Sequence, residues 1–302
     1  MSAASASTNE AAKARGKTHV RSLPEILEIA AKSGLAGASA MAIQVTSLMW
    51  MRTTMNYQFK HGGSFLPIVK TLYKDGGIPR FYKGIVPALI IGPMSRFGDT
   101  AANMLATTLS EDNSFLKTMP IFVQTSLGSI LAGFWRLITL PVDAWKTSKQ
   151  VYGHDGLKML IGKFHKNGIS TFYQGGVASA LATMVGHYPW FVTNNYLEHY
   201  MERYSYEKEF TKAILRSAFI GLVSTVVSDC VSNSIRVVKT FKQTAAEKMT
   251  YKQVIGDIVA KDGVKGLFLR GLSTKLLTNV IQGVAFRVIW KYLENEMKDK
   301  KQ

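Results

Sequence analysis

Asp75-Gly76-Gly77-Ile78-Pro79-Arg80-Phe81-Tyr82-Lys83-Gly84 is the first of three versions of one phrase. Asn167-Gly168-Ile169-Ser170-Thr171-Phe172-Tyr173-Gln174-Gly175 and Asp262-Gly263-Val264-Lys265-Gly266-Leu267-Phe268-Leu269-Arg270-Gly271 are the others, and the closing glycines stand 91 and 96 residues apart. A period that fills a 302-residue chain three times makes the fold a triplicated unit, each copy to be read against the other two. It is too long for an ordinary solenoid repeat. Each copy sets a turn-forming Gly, an aromatic and then a second Gly that opens a long apolar run, the pattern of a short surface helix feeding a membrane helix.

Composition fits a lipid-embedded bundle with a wet interior: 47% of residues are hydrophobic and 19% charged, yet mean hydropathy is only +0.05. Three stretches are long enough to span a bilayer. Ser33–Met51 has no charged side chain, Pro120–Leu140 has only Arg136, and Gly175–Leu197 has only the titratable His187. The partner stretches are interrupted: Gly84–Leu109 by Arg96 and Asp99, Ala213–Val238 by Arg216, Asp229 and Arg236, and Gly271–Leu293 by Lys275, Arg287 and Lys291. Charge at bilayer depth is costly, so these groups are expected to face a protein interior or a water-filled cavity, or to sit near a helix end. A soluble all-helical repeat protein would explain the period but not the uncharged spans.

Two membrane helices per copy give six, with both termini on one side. The connections within copies, about 57–83, 152–174 and 245–270, are rich in Lys and Arg, whereas the links 110–118 and 199–212 balance acids against bases. By the positive-inside rule the basic connections lie on the cytoplasm-equivalent side, which in a mitochondrion is the matrix. The net charge of +17 then reads as attraction to anionic lipid headgroups or anionic solutes. No nucleic-acid partner is expected, because the bases are scattered over several loops instead of forming one stripe with interleaved aromatics. The single cysteine, Cys230, excludes an intramolecular disulfide and any multi-cysteine metal site. The six His lack metal-ligand spacing, and no P-loop, nucleophile elbow or dinucleotide fingerprint occurs, so nothing argues for an enzyme, a metal or a cofactor. Residues 1–22, Ser/Ala-rich and basic with one acid, Glu10, read as a disordered tail or a transit peptide.

Taken together these features resemble the mitochondrial carrier family over nearly the whole chain. The family signature P-x-[DE]-x-x-[KR], at the end of each odd helix, is matched once, by Pro141-Val142-Asp143-Ala144-Trp145-Lys146. The resemblance implies an all-α membrane fold: a six-transmembrane-helix bundle with threefold pseudosymmetry and short matrix helices, in carrier repeats 23–109, 110–204 and 205–298. It also implies that Pro141 kinks its helix inward and that the acid of one odd helix pairs with the base of the next to close the matrix side. The first repeat has lost both Pro and acid, with Thr46-Ser47-Leu48-Met49-Trp50-Met51 as the remnant; the third reads Ser234-Ile235-Arg236-Val237-Val238-Lys239, an Arg standing in the acid's place. Only Asp143 with Lys239 can then form a ring pair, leaving Lys146 and Arg236 without family partners. The glutamine that follows the base in many members is replaced by Lys149 and Lys242. The matrix gate is expected to combine Pro141, Asp143, Lys146, Arg236 and Lys239 with apolar packing of Leu48, Trp50, Met51 and Trp145, or else to be strongly electropositive and less firmly closed.

Five residues before each motif the family often places a cavity-facing side chain. Here these are Arg136 and Asp229, with Ala40 or Met41 in the first repeat, and the pair reads most simply as a structural ion pair across the bundle, or as a binding pair for a solute carrying both charges. Counted from the opening Gly, the even helices supply Ile91-Gly92, Ala182-Thr183 and Thr278-Asn279 as substrate contacts. None is the Arg of di- and tricarboxylate carriers, which argues against a strongly anionic solute. Arg96 and His187 lie about a turn further along; His187, beside Tyr188 and Pro189, also reads as a packed residue. The cytosolic-side motif is eroded, with Glu198 where a base belongs.

Gly84, Gly175 and Gly271 offer helix N-termini to a phosphate, and with Tyr82, Lys83, Tyr173 and Arg270 they look like the family's sites for cardiolipin or another anionic phospholipid. A plain helix cap next to an interfacial aromatic is the alternative. The function implied is a multi-pass transporter of the mitochondrial inner membrane that moves a small polar or zwitterionic solute by alternating access. The alternative is a transport-inactive carrier fold, acting as a structural or lipid-binding subunit of a larger membrane complex instead of as a monomer.

Overall fold

The structure is a computed structural model that describes residues 45–112, 121–202, 204 and 209–282. The side chains of residues 96, 100, 103, 107, 110–112 and 121–125 are excepted. Expectations for the tail 1–22, for Ala40 and Met41, for the Arg96 side chain and for Arg287 and Lys291 lie outside the described residues. Within them every element is a helix. The first is α1, described over 45–61, followed by α2 (Phe65–Phe81), α3 (Ile85–Asp112), α4 (Ile121–Tyr152), α5 (Gly156–Asn167), α6 (Gly176–Tyr200), α7 (Phe210–Thr244) and α8 (Tyr251–Leu269). The last, α9, is described over 272–282.

The repeated phrase acts through backbone conformation. A glycine in each copy bends or ends the short helix: Gly77, Gly168 and Gly263 have φ of 62°, 63° and 67°, a region that favours a residue without Cβ. Its closing glycine also has positive φ, 90° at Gly84, 81° at Gly175 and 64° at Gly271. Here a second constraint applies. A Cβ would lie 3.0 Å from the Lys146 carbonyl oxygen at Gly84, 2.9 Å from that of Lys239 at Gly175, and 3.2 Å from that of Met55 at Gly271. The missing side chain thus lets the starts of α3, α6 and α9 press against α4, α7 and α1 respectively.

Those carbonyl contacts fix the register of the degenerate copies. If Lys146, Lys239 and Met55 are equivalent, the first-repeat remnant is Trp50-Met51-Arg52-Thr53-Thr54-Met55, four residues beyond Thr46–Met51. This corrects the sequence reading. Arg52 and Arg236 both occupy acid positions, and Met55 has taken the place of a base.

Packing is inverted relative to a water-soluble bundle. Ile130, Phe134 and Ile138 on α4 and Leu215, Phe219 and Leu222 on α7 are exposed, while Ser224, Ser228, Ser232 and Asn233 on α7 are buried. Apolar faces outward and small polar residues inward suit a hydrocarbon surround. The hydroxyls of Ser224 and Ser232 donate to the carbonyls of Ile220 and Ser228, 2.7 and 2.8 Å, so burial leaves neither without a partner. Segments of α4 (Ser126–Tyr152) and α7 (Phe210–Thr244) are long and apolar enough to cross a membrane. The short α8 starts with a capping box between Thr250 and Gln253. It docks through Val254 and Ile258 onto Phe59 of α1 and Val237 and Val238 of α7.

Candidate functional site

Pro141 lies inside α4, and half a turn later Asp143 is only 8% exposed. Its carboxylate accepts from Lys239 of α7 and, at 2.5 Å, from Lys146 on its own helix. The expected Asp143–Lys239 pair is therefore present in the geometry, and Lys146, expected to be partnerless, shares the same acid because the i,i+3 spacing puts it on that face. Arg236, one turn before Lys239, donates from Nε to Ser232 Oγ at 3.2 Å. Apolar packing surrounds this layer: Leu48, Met49 and Met51 are buried, and the Trp50 ring lies 6.1 Å from Phe65. The Trp145 indole nitrogen is buried without a partner among the described residues.

The glutamines expected to be lost stand one residue later, as Gln150 and Gln243. Gln150 accepts from Asn56 at 2.5 Å and reaches Met49 Sδ at 3.5 Å, bridging α4 to α1. Gln243 is buried with both amide atoms unpartnered among the described residues.

At mid-depth the expected Arg136–Asp229 pair does not form. Arg136 instead grips Asp99 of α3 through two contacts of 3.0 and 2.9 Å, and Asp229 pairs with Lys275 of α9 at 2.6 Å while accepting from Asn279 at 2.5 Å. Each odd-helix charge is thus satisfied by an even helix. Both partners had been visible in the sequence as interruptions of apolar stretches, but sequence gives their depth and not the direction they face. His187 lies within electrostatic reach of Asp99, Arg136 and Arg236, with its ring 6.3 Å from Phe191. The remaining predicted contacts are packed: Ile91, Ala182, Thr183 and Thr278 are all buried. Thr183 and Thr278 donate to the carbonyls of Ser179 and Thr274, 3.2 and 2.7 Å, in their own helices. At the opposite end, Glu198 accepts from Arg216 of α7 at 2.7 Å, an ion pair not anticipated from the sequence.

The predicted lipid site is altered in part. Arg270 is buried and held by Asp262 at 2.8 Å, so its guanidinium does not face outward. At the start of α6 the Gly176 N–H bonds the Tyr173 carbonyl and the Ala178 N–H bonds the Tyr251 hydroxyl, and at α3 the Ile85 N–H bonds the Tyr82 carbonyl. These donors are not free, contrary to expectation. Tyr173 is exposed and Lys83 half-buried, while Tyr82 packs against Val45, Met49 and Ala88.

Beyond the apolar part of α1, basic groups crowd together. Burial and the neighbouring Lys163 push the Lys60 ammonium down to about 8, and burial also brings Lys163 to about 8. Burial, then Lys60 and Lys261, hold His61 at about 4. Lys60 sits over the Phe241 ring at 3.7 Å, and Lys163 donates to the Gln243 carbonyl at 3.3 Å. Nearby, a cleft of about 300 Å³ is lined by Tyr57, His61, Asp75, Arg80 and Tyr152. Among the described residues no group of acids, His and Cys is arranged to hold a metal.

Residues 210–301 match the family described as mitochondrial carrier protein. The chain is also 25% identical over 268 residues to mitochondrial thiamine pyrophosphate carrier 1 of Lodderomyces elongisporus, with 81% of each chain covered. Both likenesses support membership of the mitochondrial carrier family. Against that family's signature the chain diverges in an informative way: the acid stands in the middle copy alone, and in the register given by the glycine contacts Arg52 and Arg236 occupy the other two acid positions.

Proposed function

We propose that this carrier-family chain is a multi-pass transporter of the mitochondrial inner membrane, moving a small polar or zwitterionic metabolite by alternating access. Its six helices would form a threefold pseudosymmetric bundle from repeats 23–109, 110–204 and 205–298. The supporting observation is the set of charged pairs joining different helices inside an apolar-faced bundle: Arg136 with Asp99, Asp229 with Lys275, and Asp143 with Lys239. Charges of both signs at such depth call for a polar interior, and pairs that bridge helices are the contacts that break and re-form when those helices part. Asp143 and Lys239 are the matrix clasp. An anionic phospholipid at the exposed Tyr173 and at Lys83 is the lipid partner.

Thiamine pyrophosphate, named for the relative, is the first solute to test, because it joins a cationic ring to an anionic tail. Purified protein in liposomes containing anionic phospholipid is assayed for uptake of that solute, amino acids and small carboxylates. Saturable uptake is expected, abolished by Asp143→Lys and restored by adding Lys239→Asp. No saturable uptake of any solute, together with comigration in a large native assembly, would overturn the reading and leave a carrier-fold subunit.

A further inference from the structure

In the interior, one cation of those described stands without a carboxylate. Arg136 has Asp99, Lys146 and Lys239 share Asp143, and Lys275 has Asp229. Arg236 alone among these bases has no carboxylate within ion-pair distance among the described residues, and it stands where the signature of the family resembled has an acid. Its Nε is tied to Ser232 Oγ at 3.2 Å, and Ser232 Oγ in turn donates to the Ser228 carbonyl at 2.8 Å, so the head of the side chain is held along one face of α7. Among the described residues Nε is the nitrogen of Arg236 that makes a hydrogen bond, and the residue is half-buried, not sealed. Arg136, Lys239, Lys275 and His187 all lie within its electrostatic reach. The acid in the same reach, Asp229, is already held by Lys275 and Asn279.

A planar guanidinium fork, braced from behind and surrounded by excess positive charge, is suited to bidentate capture of an oxyanion. Burying it without one leaves like charges facing each other. We infer that Arg236 anchors the oxyanion of the transported solute, a carboxylate or a phosphoryl group, at the floor of the interior just above the Asp143 clasp. This deepens the transporter reading and rests on it. An Arg in the signature's acid position thereby makes a gate position a binding position. The anionic part of the solute, not a protein carboxylate, neutralises the third copy when the matrix side is closed.

The test uses the full chain in detergent at fixed ionic strength, with apparent affinities read from ligand-induced shifts in melting temperature. The probes are succinate for the carboxylate arm, inorganic pyrophosphate and thiamine pyrophosphate for the phosphoryl arm, and thiamine as the control lacking an oxyanion. Arg236→Gln is expected to weaken whichever oxyanion binds by about 10- to 100-fold, Arg236→Lys to weaken it less, and neither to lower the melting temperature of the unliganded protein. Oxyanion affinity for Arg236→Gln within about twofold of the native chain, a difference of under 0.5 kcal/mol, would overturn the inference. So would uptake of a neutral or cationic solute with no oxyanion binding, which leaves the transporter reading intact. Absence of any binding or uptake defeats both.

Discussion

Asp143 accepts from two lysines, and this makes the consequences of mutation asymmetric. Removing either lysine leaves the acid with a partner, whereas Asp143→Asn leaves two ammonium groups and no anion. Groups that shared one carboxylate lie about 5 Å apart, and at an effective dielectric of about 20 their repulsion is about 3 kcal/mol. The figure agrees with the ~3–5 kcal/mol typical of breaking a buried pair by deleting one partner, fitting side chains only 12%, 18% and 22% exposed. At roughly 2 °C per kcal/mol for a chain of this size, Asp143→Asn should melt at least ~6 °C lower than the native protein. Lys239→Gln, by contrast, should cost about 1 kcal/mol, because Lys146 remains. Adding Lys239→Gln to Asp143→Asn should recover part of the loss by removing the repulsion. The assay is thermal unfolding of the four proteins in detergent, repeated at high salt to screen the repulsion. If Lys239→Gln is as damaging as Asp143→Asn, or if the double variant is worse than Asp143→Asn alone, the shared-acid account is wrong.

Other consequences follow from local geometry. Gly175→Ala, at φ 81° with a Cβ 2.9 Å from a carbonyl oxygen, should destabilise by about 1–3 kcal/mol. Gly221→Ala, inside α7 with nothing within 4 Å of the new Cβ, should stabilise by about 0.5–1 kcal/mol; melting temperatures of the two test the contrast. His61, at about 4 when folded against 6.5 ordinarily, binds fewer protons in the native state than in the unfolded chain between those values. Stability should therefore fall as pH is lowered through that window and be flat above it, and His61→Gln should flatten the slope in a pH series of unfolding curves. Arg216→Met deprives Glu198 of its ion pair and the carbonyls of Glu198 and Met201 of donors at 3.0 and 3.2 Å. It should cost about 1–3 kcal/mol, seen as faster hydrogen exchange at the start of α7.

The repeated phrase could be read from sequence because its glycines answer to backbone rules: Gly77, Gly168 and Gly263 sit at nearly equal positive φ, and a turn signal of that kind is local. The Asp143–Lys239 pairing was also legible, since one acid and one base remained at matching positions. The first-repeat register was not. Without Pro or acid, 46–55 offers no local marker, and only the close approach of Gly271 to the Met55 carbonyl supplies one. The partners of Arg136 and Asp229 were missed for a different reason: sequence gives the depth of a charge along its helix but not its azimuth. At similar depth, Asp99 and Lys275 proved to be the nearer counterions. Arg270 shows the same limit: its guanidinium turns to Asp262, eight residues back in the phrase.

The seam between the beginning and the end of the chain has its own implication. Gln58 accepts from Thr274 across 216 positions, the Lys60 and His61 carbonyls receive Arg270 and Lys261 across 210 and 200, and Phe59 sits in a cluster built from α7 and α8. Such distant pairings form late in folding. Until the last hairpin arrives, the polar end of α1 stands without those mates. A truncated chain ending before α8 would therefore carry an open wound along its first helix, and quality control, not partial activity, would be its fate.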